Sequence, residues 1–78
     1  RFRLGEIIFD YSKLKGRITE KFGSQRAFAK AMNMTEATMT SKLANGSAFK
    51  QTEILKAVDI LDIELGEIAV YFFTLKVQ

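Results

Sequence analysis

Two side chains that carry much of enzyme and metal chemistry are missing from this chain of 78 residues, which contains no His and no Cys. The chain therefore has no thiolate nucleophile, no disulfide, no cysteine or histidine zinc ligand and no imidazole general base. Its nine Asp and Glu residues are scattered, and so short a chain has little interior in which to shape a pocket around a carboxylate. We predict no enzyme activity, no catalytic residue, no metal, no cofactor and no small-molecule substrate.

The cationic side chains gather in one part of the sequence. Residues 1–50 hold ten of the twelve Lys and Arg residues but only four of the nine acids, whereas acids outnumber cations in residues 51–78. This uneven charge favours a polyanion such as nucleic acid as the partner. Charge alone leaves the choice nearly even, since many basic domains bind no polyanion.

Apolar residues at steps of three and four predict the helices that position these side chains. Gly23 ends the first helix, and Ser24 and Thr35 can cap the next two. Asn33 tolerates the left-handed conformation of a helix stop, and Asn45-Gly46 forms the next turn. The predicted helices cover residues 11–22, 24–33, 35–44, 51–61 and 64–70.

Five short helices in 78 residues predict one all-α domain of five helices over residues 1–78. Residues 1–10 form an N-terminal extension, and residues 71–78 an apolar C-terminal segment. The C-terminal segment is rich in β-branched and aromatic residues, so it could extend the last helix or form a short terminal strand. No apolar stretch approaches the roughly 20 residues that span a bilayer, and we expect a cytoplasmic protein with no membrane partner.

Two short helices joined by a turn of three to four residues have the geometry that lays a second helix in the major groove of DNA. Residues 24–44 fit this geometry, with Ala29 at the close crossing and Asn33 in the turn. The stretch SQRAFAKAMNMTEATMT at residues 24–40 strongly resembles the helix-turn-helix of the phage Cro and CI repressors. The resemblance implies a lambda-repressor-like DNA-binding domain that acts as a dimer on a two-fold related operator.

Helical spacing assigns the exposed face of the third helix. If Met39 and Leu43 point inward, a set of short and polar side chains lies on or beside the outward face. Methyl and hydroxyl groups contact thymine methyls and base edges, a lysine can reach guanine or phosphate, and a carboxylate accepts from a cytosine amine. The predicted base-contacting residues are Glu36, Ala37, Thr38, Ser41 and Lys42.

Contacts to the phosphate backbone should flank that helix and fix its register on the duplex. The resemblance to the Cro and CI repressors implies that Gln25, at the start of the second helix, contacts phosphate. Its neighbour Ser24, together with two residues of the loop after the third helix, is placed to hold one DNA strand on either side of that helix. The predicted phosphate-contacting residues are Ser24, Gln25, Ser47 and Lys50. The cations of the first helix are better explained as a solvated face.

Both ends of the chain are too apolar to be free tails. Either they pack on the first and fifth helices, or they form the interface of a homodimer. The leading interpretation is a sequence-specific regulator of transcription that binds double-stranded operator DNA, a phage or prophage repressor of Cro or CI type. The alternative is a protein-interaction module, such as an antirepressor or antitoxin, that keeps the fold and docks a protein through its apolar ends.

Overall fold

The structure, a computed structural model, describes residues 7–76. Within this range the chain forms five short α-helices, and the predicted all-α class is confirmed. A turn of 3-10 helix at Leu65–Glu67 precedes the last of them. The helices are α1 (Ser12–Phe22), α2 (Gln25–Ala31), α3 (Glu36–Leu43), α4 (Gln51–Ile60) and α5 (Ile68–Phe72).

The polar and glycine residues that were predicted to start and stop the helices do so. Gly23 ends α1 with φ 80°, and Asn33 has φ 60° in the turn after α2. The Ser24 hydroxyl accepts from the backbone N–H of Ala27, which caps α2. α2 has seven residues, fewer than the predicted range of 24–33, because Ser24 and Met32 cap the helix from outside and Asn33 already has the left-handed conformation.

The core lies where these helices meet. α1 packs on α2 and α5, α2 packs on α3, and α4 packs on α5. Aromatic rings link α5 to the residues just before α1 and α4. Phe49 makes edge contacts with both Tyr11 and Phe72, at centroid distances of 5.6 and 5.4 Å. The largest fully buried side chains are Phe28, Phe72, Leu14, Ile18, Met39 and Leu61.

The two ends of the described chain lie side by side. Phe9 and Leu75 form an antiparallel bridge, flanked by hydrogen bonds from Asp10 N to Thr74 O (2.7 Å) and from Lys76 N to Ile8 O (2.8 Å). Both alternatives left open for the C-terminal segment are seen in part within the described range: the last helix extends to Phe72, and the possible terminal strands are limited to this one bridge. The remainder of the predicted extension, residues 1–6, and residues 77–78 lie outside the described range.

The last helix differs most from its predicted bounds. The sequence predicts a helix over residues 64–70, but the chain forms the 3-10 turn first and α5 begins at Ile68. Gly66 within that turn has the least helical preference of any residue except proline. The α-helix then begins at Ile68 and continues to Phe72, whose buried side chain packs into the core.

Candidate nucleic-acid interface

The turn between α2 and α3 fixes the angle at which α3 leaves the body of the molecule. It occupies residues 32–35, and the positive φ of Asn33 lets the chain reverse there. Asn33 N donates to Lys30 O at 3.0 Å, and Met34 N donates to Ala29 O at 2.9 Å. These bonds satisfy the last carbonyls of α2, so the turn is held by backbone groups rather than by side chains.

Thr35 organises the start of α3. Its hydroxyl oxygen accepts from the backbone N–H of Thr38 at 3.1 Å, as the predicted cap requires. The same hydroxyl donates to Thr38 Oγ1 at 2.9 Å. Thr38 Oγ1 therefore accepts a hydrogen bond within the protein, which leaves its own hydrogen free to be donated elsewhere.

The inner face of α3 is buried as predicted, with Met39 and Leu43 exposed by only 0% and 4%. The outer face carries short polar side chains together with one carboxylate at its first residue. We call this set the outer face of α3: Glu36, Ala37, Thr38, Thr40 and Ser41. All are exposed except Ser41, which is partly buried.

The position of Lys42 differs from the prediction. Its side chain is buried and does not lie on or beside the outward face, so that part of the prediction is wrong. Its residue is 6% exposed, and its Nζ donates to Ala48 O at 2.8 Å. The same atom forms an ion pair of 3.0 Å with Glu53 Oε1 and lies 5.8 Å from the centre of the Phe49 ring. A base contact would break all these interactions, so the Lys42 side chain is not available to bases in this structure.

Glu53 completes this inner ion pair from the first turn of α4. One of its carboxylate oxygens also accepts from Lys50 N at 2.8 Å. Burial raises the pKa of Glu53, but the bonds from Lys50 N and Lys42, together with the charges of both lysines, lower it more, and the pKa ends below its ordinary value. The carboxylate stays ionised and ties α3, the following loop and α4 together.

Ser41 lies at the edge of the outer face, against the turn that follows α3. Gly46 N donates to Ser41 O at 2.7 Å, and a Cβ on Gly46 would lie 2.6 Å from Ser41 Oγ. Only glycine leaves room for this contact without a shift of the serine. The backbone of Ser41 is therefore tied to the turn, and the absence of a side chain on Gly46 leaves the space that the Ser41 hydroxyl occupies.

Thr40 is a member of the outer face that sequence reasoning missed. Its Oγ1 accepts from Gln25 Nε2 at 2.7 Å, which joins α3 to the first residue of α2. The signal was present in the spacing, since Thr40 follows Glu36 by four residues and Ala37 by three, which places all three on one face.

The predicted phosphate-contacting residues lie at two places beside α3. Ser24 and Gln25 are at the start of α2, while Ser47 and Lys50 are exposed in the loop after α3. Ser24 Oγ is occupied as an acceptor by its cap, which leaves its hydrogen to donate. Of these four residues, Gln25 contacts the outer face of α3, through its bond to Thr40.

Further cations lie near the start of α3. A groove between α2 and α3 is lined by Arg26, Lys30, Asn33, Met34 and Glu36, among others. Both cations are exposed, and neither has an ion-pair partner within residues 7–76. Their charges partly offset that of Glu36 on the side of the molecule that presents α3.

Within the described range, Asp and Glu residues form no group of three or more that could hold a metal ion. None of the helices between residues 7 and 76 has the length and hydropathy needed to cross a bilayer.

Comparisons with known proteins agree with this helical fold. Among curated proteins none matches the chain. The solution structure of the modulator of repression (MOR) of the temperate bacteriophage TP901-1 from Lactococcus lactis is 47% identical in sequence, with a TM-score of 0.77, covering 90% of this chain and 95% of that chain. The family described as "Protein of unknown function (DUF739)" matches residues 7–75, and the chain belongs to that family.

Proposed function

We propose that this chain regulates transcription in a temperate phage by binding double-stranded operator DNA with the outer face of α3. The observation that carries the proposal is the placement of that face. It projects short polar side chains outward from a helix whose inner side is buried, and it is flanked by the residues proposed to hold phosphate. The similar protein from phage TP901-1, a modulator of repression, supports a role in phage gene control.

With Lys42 buried, the residues that we propose to contact bases are Glu36, Ala37, Thr38 and Ser41. The Thr38 hydroxyl accepts from Thr35, so its own hydrogen can be donated to a base acceptor, while the methyl of Ala37 suits a thymine methyl. Ser41 supplies a second hydroxyl. The carboxylate of Glu36 accepts hydrogen bonds but cannot donate them. Its partners in the major groove would be the amino groups of cytosine and adenine, which are the donors there.

Phosphate contacts are assigned to Ser24, Gln25, Ser47 and Lys50. Gln25 bonds Thr40 through one hydrogen of its amide and keeps a second hydrogen for a phosphate oxygen. The inner ion pair between Lys42 and Glu53 holds the loop that carries Ser47 and Lys50 at a fixed distance from α3. We further propose that the protein acts in the cytoplasm as a homodimer, because one such module gives few base contacts.

A second candidate function is docking to a protein, and two observations favour it. Because Lys42 is buried, the outer face of α3 carries no cationic side chain within the described range. It therefore lacks the commonest specific base contact, a hydrogen bond from Arg or Lys to guanine. Several large apolar side chains are also exposed on and beside α5. They are Leu65 (69%), Val70 (43%), Phe73 (50%) and Leu75 (39%).

Selection of bound sites from random-sequence duplexes, followed by titration at two salt concentrations, separates the two functions. A DNA-binding regulator should enrich a defined half-site and lose affinity steeply as salt rises, roughly in proportion to the number of phosphates contacted. A protein-docking module should enrich no sequence. In that case, association with a repressor protein of the same phage should persist as salt rises, because apolar contacts are little weakened by salt.

A further inference from the structure

Helical spacing does not distinguish the four cations of α1, but their contacts in the structure do. Arg17 holds the end of α4, with its Nε 2.8 Å from Leu61 O and its Nη2 3.0 Å from Asp62 O. Lys21 forms an ion pair of 3.2 Å with Asp62. Lys13 lies 5.1 Å from the centre of the Tyr71 ring. Each of the three therefore has an intramolecular role.

Lys15 differs from these three residues. It is exposed, and within residues 7–76 its side chain makes no hydrogen bond, ion pair or aromatic contact of the kind that engages its neighbours. Asp10 is the acid whose charge interacts with it, but that carboxylate already accepts from the backbone N–H and hydroxyl of Ser12. Among the described residues, none therefore competes with an external anion for the Lys15 ammonium by a hydrogen bond or a close ion pair.

The position of Lys15 indicates which anion it can meet. It lines a shallow cavity of about 230 Å³ together with Thr19 and Gln25, above the apolar side chains of Ile18 and Leu43. Gln25 in turn bonds Thr40 on the outer face of α3. An ammonium, a hydroxyl and an amide therefore surround one opening beside the helix proposed to enter the major groove, which is the donor chemistry that phosphate oxygens attract.

We propose that Lys15 is a further phosphate-contacting residue, which extends the DNA contact from the start of α2 onto α1. This inference rests on the proposed function. Lys15 would bind the strand that Gln25 contacts, with Thr19 as a second donor. Because the contact is to phosphate, it fixes the position of α3 on the duplex and carries no sequence information.

The test compares Lys15→Gln with Lys13→Gln in the full chain, each titrated with an unselected duplex over a range of salt concentrations. The two substitutions remove the same charge from the same helix, so a general charge effect is equal in both. Lys15→Gln should reduce the slope of log affinity against log salt by about 0.9, the value of one released counterion, whereas Lys13→Gln should leave it near that of the wild type. Lys15→Arg should restore the slope.

Each result has one meaning. Equal slopes for Lys15→Gln and Lys13→Gln, with the wild type binding duplex DNA, would overturn the role of Lys15 and leave the proposed function standing. No duplex binding by the wild type at low salt would overturn both. Because the side chain of Lys15 is exposed, its substitution should leave the fold intact, and an unchanged melting temperature of each variant verifies this.

Discussion

Asn33, Asn45 and Asp62 end three of the helices in the left-handed conformation, with φ of 60°, 65° and 53°. In each case the next residue donates its N–H to the carbonyl five residues earlier, at 2.7 to 2.9 Å. Glycine is the usual residue at such a position, and asparagine and aspartate are the side chains that tolerate it best. The same backbone device is thus used three times without glycine.

The two asparagines should respond oppositely to glycine. Asn33→Gly should leave the protein as stable as the wild type or up to about 1 kcal/mol more stable, because glycine relieves the positive φ. Asn45→Gly should cost about 1–2 kcal/mol, since Asn45 also accepts from Phe9 N (2.8 Å) and donates to Phe9 O (3.0 Å). Urea unfolding of both variants measures the difference. Equal stabilities would show that the bonds to Phe9 contribute nothing.

The inner ion pair makes a second prediction at this scale. Lys42→Met should cost about 2–3 kcal/mol, because it removes a cation bonded to Glu53 and to Ala48 O. The double variant Lys42→Met, Glu53→Gln should be less destabilised than the sum of the single variants. Strict additivity in thermal unfolding would mean that the two side chains do not interact.

The pH dependence follows from the direction of the Glu53 pKa. Since the pKa in the folded state lies below the ordinary value of 4.5, the carboxylate stabilises the fold above that pH, and the contribution is lost as pH falls through the lowered pKa. Glu53→Gln should therefore flatten the loss of stability below pH 4.5. Part of the loss should remain, because the pKa of Asp10 is lowered by its bonds to Ser12. An unchanged acid profile would contradict this assignment.

At the scale of the helices, two glycines offer a matched comparison. Gly16 lies within α1, where a Cβ would meet nothing within 4 Å, so Gly16→Ala should stabilise the protein by about 0.5–1 kcal/mol. Gly46→Ala should destabilise it by about 1–2 kcal/mol, because the methyl would lie 2.6 Å from Ser41 Oγ and 3.2 Å from Ser41 O, a backbone atom that the bond from Gly46 N holds in place. Amide hydrogen exchange in α3 should rise only for Gly46→Ala, and a rise in both variants would argue against a local contact.

The helix ends were the part of the fold most accessible from the sequence. Gly23, Ser24 and Thr35 act through backbone groups within a few residues, so local pattern is sufficient. Lys42 could not be placed in this way, because it follows Met39 by three residues, at the border of the buried and outward faces, and spacing does not show which way its side chain turns. Its orientation depends on Glu53, eleven residues later, and on a loop carbonyl whose position the sequence does not display.

The same limit applies to the proposed contact surface. The outward position of Glu36, Ala37 and Thr38 follows from the spacing of Met39 and Leu43 and is observed. The bond between Gln25 and Thr40 joins two helices and depends on the angle of the turn between them. Tertiary geometry of this kind is not encoded in the period of one helix.

At the scale of the whole molecule, the apolar ends are only partly covered by the chain itself. Phe72 is buried, and Phe9 packs on Phe73 with a centroid distance of 5.9 Å, so the two ends pack in part against each other. Phe73 and Leu75 nevertheless remain 50% and 39% exposed. Exposed apolar groups close together favour association with another surface.

A homodimer is the arrangement that the proposed function predicts for these groups. Sedimentation of the protein on its selected operator should give two copies per site, with half-sites roughly 34 Å apart, one turn of the duplex. Phe73→Gln should weaken this two-copy complex while leaving α1 to α4 folded, because half of the ring is exposed. One copy bound to a single half-site would argue against the dimer.

The most direct measurement of the central proposal is a competition titration between the selected operator and a random duplex with Thr38→Val, Ser41→Ala, Glu36→Ala and Lys50→Gln. Changes on the outer face of α3 should reduce operator preference by about 1–3 kcal/mol, because these side chains are assigned to base edges. Lys50→Gln should weaken both duplexes alike and leave the preference intact, as expected of a phosphate contact. If the Thr38, Ser41 and Glu36 variants all keep the operator preference of the wild type, the outer face of α3 is not the DNA-reading surface.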